Sequence, residues 1–127
     1  LKIDGIVYAE TPFMQQVHEG AYDFTRFTVL GHRYLFKKFD LINMGGNQGP
    51  EVVFALSVRY LAWALLRSRI IAKFIGIFIG ILVRPFSFIV SKESMYDASS
   101  GVFFIGKKHT NKNLSHKDLV SLYKGQY

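Results

Sequence analysis

The chain has 127 residues, a net charge of +7 and no cysteine. Its length suits one ordinary domain, and the lack of cysteine excludes disulfides and thiolate-held metals while leaving the redox compartment undecided. The charge is uneven: Val52 to Lys92 contains six cations (Arg59, Arg67, Arg69, Lys73, Arg84, Lys92) and no acid, whereas the remainder has ten cations and nine acids. That basic window is also the most hydrophobic part of the chain, a pairing suited to an anionic membrane surface and poorly suited to nucleic acid.

The chain opens at Leu1 with no basic n-region, apolar signal or cleavage site ahead of a strand pattern, so a piece of a longer protein is expected. The turn-like KIDG leads into GIVYA (Gly5 to Ala9), a β-branched and aromatic run without polar alternation, which predicts a strand covered on both faces. Pro12 closes it, since proline cannot donate to a ladder. There follows ETPFMQQVHEGAYDFTRFT, residues 10–28, too aromatic for a linker and too rich in ionisable groups for a core. Thr28 is placed to cap a helix through VLGHRYLFKKF, and Lys37 and Lys38 suit the C-terminal end of its dipole. DLINM (Asp40 to Met44) reads as a second short strand that stops at the turn GGNQGP. That turn lacks the Lys-Ser/Thr ending of a phosphate loop and the glycine spacing of the dinucleotide fingerprint, so it is a plain loop.

From Glu51 to about Lys73 the pattern predicts one amphipathic helix, with Arg59, Arg67, Arg69 and Lys73 inside an arc of about 160°. FIGIFIGILV (Phe74 to Val83) comes next; ten residues are too few for a comfortable membrane span, which takes about twenty. A core or interfacial segment is therefore expected there. Gly76 and Gly80 have the GxxxG spacing of close helix contacts, and Pro85 breaks or kinks the preceding helix. SKESMYDASS (Ser91 to Ser100) reads as a polar connector and GVFFIG (Gly101 to Gly106) as a third strand. The polar tail from His109 carries one expected short helix in LSHKDLVSLYKG, capped by Ser115 with Asp118 at the third helical position.

Four stretches together resemble the C-terminal part of a class I S-adenosylmethionine-dependent methyltransferase of the type 11 kind. LKIDGIVYAETPF is similar to that family's fifth strand, with its leucine-lysine-x-gly-gly approach and E-x-P exit. HEGAYDFTRFT (His18 to Thr28) is similar to the His-x(4)-Asp-Phe-x-Arg-Phe-Thr segment of one subgroup. GHRYLFKKFDLINMG resembles the helix and sixth strand that follow, and SGVFFIGKK the closing seventh strand. The resemblance implies an α/β fold: a Rossmann-like sheet of strands 5, 6 and 7, the last antiparallel between the other two, with a hydrophobic helical insertion. Residues 1–108 would be the C-terminal half of the methyltransferase domain, 51–90 its insertion and 109–127 a tail. It also implies S-adenosylmethionine as cofactor of the intact protein. The family's glycine-rich loop after the first strand and the acid ending its second are absent here, so no cofactor-binding residue is assigned in this chain and the chain alone is expected to be inactive. The first strand would lack a partner on its free side, which predicts poor solubility.

In open α/β sheets ligands bind beyond the carboxyl ends of the strands, which places residues 10–28 at the acceptor side. His18 is the candidate base because its pKa lies near neutrality. Asp23 can orient a histidine or an acceptor hydroxyl, and Arg26 can hold an anionic acceptor bidentately. Glu10, Phe13, Tyr22 and Phe24 are the candidate substrate-binding residues. Plainer roles compete: Asp23 and Arg26 as an ion pair within the loop, His18 as a structural or rim histidine, Glu10 as a cap on a backbone amide, and the aromatics as packing. No metal is expected, since His32, His109 and His116 are too scattered for ligand spacing. The expected acceptor is a small molecule or glycan, including lipid-linked sugars, and Arg59, Arg67, Arg69 and Lys73 are the expected contacts to an anionic membrane. That places the protein in the cytoplasm, peripheral at the inner face of the membrane. The rival expectation is a small non-enzymatic protein that binds anionic lipid through the basic helix.

Overall fold

The computed structural model describes residues 1–108 and 113–126, so His109 lies outside the described residues. Three strands form the sheet: β1 (Ile6–Pro12), β2 (Phe39–Asn47) and β3 (Gly101–Lys108). Their order is β1-β3-β2, with β3 antiparallel to both neighbours, so β1 and β2 run parallel to each other. The fold is thus mixed α/β with an antiparallel three-stranded sheet. β3 is central and carries the core: Val102 and Phe104, on one face, are fully buried, and Phe103 and Ile105, on the other, are half-buried. β1 departs from expectation. Its residues alternate in exposure and leave Ile6 and Tyr8 open to solvent, because it lies at an edge with one face uncovered.

The helix α1 (Val29–Leu35) starts where the sequence predicts, with the Thr28 hydroxyl accepting from the Gly31 N–H at 3.0 Å. It ends earlier than predicted. Buried Arg33 donates to the carbonyls of Phe36 (2.6 Å) and Phe39 (2.9 Å), folding the chain back into β2. Across this turn Phe36 stacks on Phe104 with ring centroids 4.7 Å apart, and His32 is enclosed by Phe27, Phe36 and Phe104. Burying one such aromatic contributes about 2–3 kcal/mol, and this cluster fixes α1 on the sheet.

Two corrections concern the insertion. The single amphipathic helix expected over 51–73 is two helices, α2 (Pro50–Leu66) and α3 (Arg69–Val83). Arg67 takes a left-handed conformation (φ 53°), and the Ser68 hydroxyl caps α3 by accepting from the Ile71 N–H. Arg59 therefore lies on a different helix from Arg69 and Lys73, and the proposed single cationic stripe does not exist. Second, the apolar segment is longer than ten residues. α3 continues into a 3-10 turn (Arg84–Phe88), giving a 20-residue helical run, Arg69–Phe88, long and apolar enough to cross a membrane. Only 6% of its most apolar window is buried.

Two further elements differ from the sequence reading. SKESMYDASS is not a plain connector but holds α4 (Lys92–Ala98), capped by the Ser91 hydroxyl on the Ser94 N–H. GGNQGP is not all loop, since Gly45, Gly46 and Asn47 belong to β2. Gly46 is required there: a Cβ would collide with the Met95 carbonyl and with Ser99. The insertion begins and ends side by side, as the Ser100 N–H donates to the Gln48 carbonyl at 2.8 Å. In the tail, α5 (His116–Val120) carries the expected capping box between Ser115 and Asp118 and buries Leu119.

Candidate functional site

The carboxyl ends of β1 and β2 meet the start of β3, since Pro12 and Asn47 both pair with Gly101. Beyond them opens a cleft of about 570 Å³, lined by Glu10, Thr11, Gln15, His18, Asn47 and Ser100 among others. Glu10 reaches across the sheet: its carboxylate accepts from the Asn47 side-chain amide and from the Tyr8 hydroxyl at 2.6 Å. It does not cap a backbone amide. The Tyr8 hydroxyl, bound to that carboxylate, has its pKa raised. Gly101 permits the bridge, because a Cβ there would stand 2.6 Å from the Asn47 oxygen. Thr11 and Ser100 also line the cleft, but their hydroxyls are buried away from it and have no hydrogen-bond partner among the described residues, which costs free energy.

Of the predicted residues, the structure brings Glu10 and His18 to this cleft. The His18 side chain is half exposed, with Nδ1 3.1 Å from the Gln15 amide and Nε2 3.5 Å from Glu19. Asp23 and Arg26 are used inside the loop. Asp23 accepts from the His18 backbone N–H (2.9 Å) and from Arg26, which also donates to the carbonyls of Gln15 and Gln16. The His18 N–H, then Arg26, holds the Asp23 carboxyl below the usual range. With its guanidinium spent on three loop acceptors, Arg26 is a clasp rather than an anion grip. Tyr22 and Phe24 are about 80% exposed, pack edge to face and line neither the cleft nor its neighbour. Phe13 lies under Tyr96 and Tyr123 in a separate small cavity of about 190 Å³. Among the described residues no three His, Asp or Glu side chains converge on a metal position.

Sequence reasoning missed Thr11, Asn47 and Ser100, whose meeting depends on strand register. It also missed a second pocket of about 500 Å³ between the loop and the helical hairpin, lined by Val17, His18, Arg59, Tyr60, Trp63 and Arg69 among others. His18 lines both spaces. The Arg59 stem lies flat because Gly76 on α3 leaves room: a Cβ there would stand 2.8 Å from the Arg59 Cβ. Arg69 sits 4.8 Å over the Trp63 ring.

The hairpin itself is packed through small residues. Ala55, Ala62 and Ala72 are buried, while Leu61, Leu65, Ile70, Phe74, Phe78 and Ile81 face outward. The Gly45-Gly46 pair is strand backbone, and the space beside Gly46 is filled by Met95 and Ser99, so this pair does not cradle a nucleotide. Neither a protein-family model, nor a curated protein, nor a solved structure matches the chain, and the reading of this site therefore stands on its geometry and its sequence pattern.

Proposed function

We propose that the chain is the acceptor-side portion of an S-adenosylmethionine-dependent methyltransferase that works at an anionic membrane surface on a glycan or lipid-linked sugar. The observation that carries this reading is the strand arrangement: an antiparallel strand between two parallel ones, with a polar cleft beyond the carboxyl ends of that parallel pair. The Glu10–Asn47 pair suits a polyhydroxylated acceptor, and half-exposed His18, which lines the same cleft, is the candidate base for its proton. The methyl donor would be held by residues outside this chain, because the resembling family's glycine-rich loop and ribose-binding acid have no counterpart in this sequence. The test uses the intact protein with its upstream residues, S-adenosylmethionine labelled on the methyl group, and membranes as acceptor source. Label should enter the glycan or lipid-linked fraction, and His18→Gln should lower the rate without unfolding the protein. No transfer with any membrane fraction would sink the proposal.

The hairpin favours membrane contact and supplies the second reading, a non-enzymatic lipid-binding protein. Small residues inside with Leu, Ile and Phe outside is the packing used where lipid, not water, surrounds the helices. Lys73 and Arg84 flank the exposed apolar face of α3, as an interfacial segment on anionic lipid requires. Cosedimentation should be strong with phosphatidylglycerol vesicles and should weaken with salt. Lipid binding in an intact protein that transfers no methyl group would decide for the second reading.

A further inference from the structure

The pocket between the loop and the hairpin is rich in cations, and exposed Glu19 stands 3.5 Å from the His18 ring beside it. Arg59 and Arg69 both line it, with His18 at its mouth, and no carboxylate contributes to its wall. Among the described residues neither arginine has an ionic partner. Both are nonetheless positioned, one by its stem against Gly76 and the other by the Trp63 ring. Holding two guanidinium groups at one concavity is unfavourable unless an anion joins them. Two such forks beside a histidine match a phosphate, which has three acceptor oxygens and up to two charges, better than a singly charged carboxylate.

The geometry points to a phosphate site in this pocket. Arg59 and Arg69 hold the phosphate group of the acceptor while the sugar it carries extends past His18 into the polar cleft, and Tyr60 and Trp63 form the wall that excludes water. The two spaces share His18, so a single sugar phosphate reaches from one to the other. The acceptor role rests on the methyl-transfer reading above; the phosphate site itself does not.

Trp63 is the sole tryptophan of these 127 residues and lines this pocket, so the part of the fluorescence response that Trp63→Phe abolishes reports on it. The intact protein is titrated with glucose 6-phosphate, inorganic phosphate, glucose and glucuronate, and with vesicles of phosphatidylglycerol or phosphatidylcholine. Glucose 6-phosphate should give a saturable change, glucose none, and glucuronate a markedly weaker one. Arg59→Gln should weaken binding roughly tenfold, the loss of one charge-assisted contact. Arg59→Lys should recover part of that loss, and Lys124→Gln, at an exposed cation outside the pocket, should leave binding intact. Circular dichroism of each variant separates lost binding from lost folding. A response confined to phosphatidylglycerol vesicles, and weakened by Arg59→Gln, assigns the phosphate to a lipid headgroup; one to soluble sugar phosphate assigns it to a free glycan. No saturable response to any phosphate-bearing probe, or one indifferent to Arg59→Gln, overturns the site and leaves the methyl-transfer reading to its own assay. Phosphate binding without methyl transfer keeps the site and ends that reading.

Discussion

Replacing His32 with leucine should make the protein more stable, and the gain should grow as the solution becomes acidic. The imidazole is 1% exposed, lies in the aromatic cluster of Phe27, Phe36 and Phe104, and neither ring nitrogen has a partner. Burial lowers its pKa, so the fold prefers the neutral ring. The unfolded chain binds the proton more readily; stability is therefore full above the ordinary histidine pKa and falls as pH drops below it. As pH falls from neutrality through the ordinary histidine value, the unfolded chain takes up the proton first and the fold loses stability. Leucine abolishes that slope. It also removes two unsatisfied nitrogens, each costing about 1–3 kcal/mol, against ring contacts contributing about 0.5–1.5 kcal/mol. The net expectation, at the low end of those ranges, is a gain of about 1 kcal/mol near neutrality and a larger gain near pH 5.5. Urea denaturation followed by circular dichroism at both pH values measures it, and the exposed His18 and His116 cancel in the difference. Equal pH slopes for the two proteins, or a less stable leucine variant at the acidic point, would refute the reasoning.

Three other substitutions probe the loop, the hairpin and the sheet. Asp23→Asn should free the clasp around Arg26 and speed tryptic cleavage after that residue. In the parent protein the same loosening should occur only as pH falls through the depressed Asp23 pKa, because a carboxylate favoured by the fold stabilises above its unfolded value and ceases to when protonated; cleavage unchanged by the substitution argues against the clasp. Gly76→Ala pushes a methyl group against the Arg59 stem, and should weaken phosphate binding while Gly80→Ala, whose Cβ meets nothing, leaves it unchanged. Gly46→Ala should cost about 1–3 kcal/mol of unfolding free energy, since its Cβ meets the Met95 backbone carbonyl, which cannot swing aside; a neutral result would mean that α4 is not seated on β2.

Local signals in the sequence located much of the scaffold. Thr28 and Ser115 cap helices because a hydroxyl before an apolar run answers the first free N–H groups, and GVFFIG marks a strand because its residues suit a pleated, doubly covered surface. The break at Arg67 was hidden, since a non-glycine residue in the left-handed region leaves no compositional trace and the helical periodicity runs on through it. α4 was hidden in polar residues, although Ser91 carried the cap. For the candidate site, Glu10 and His18 were legible from their place after a strand. Thr11, Asn47 and Ser100 were not, because only the pairing of three strands at Gly101 brings them together. Arg59 and Arg69 drew notice as charge, but their convergence is a property of the antiparallel hairpin.

The single hydrogen bond from Ser100 to Gln48 has a consequence for how this chain can change. Taken without residues 49–99, β2 and β3 are two adjacent antiparallel strands, the kind a short turn would join. The helices between them are an excursion that leaves the sheet and returns to the same doorstep. Lengthening such an excursion is thermodynamically mild, about 0.6 kcal/mol for each doubling of a flexible segment. The strands keep their register whatever is inserted, and the pocket wall bearing Arg59, Trp63 and Arg69 travels with the insert. The second pocket and the exposed apolar helices are thereby carried on an exchangeable cassette, while the cleft beside Gly101 stays with the sheet.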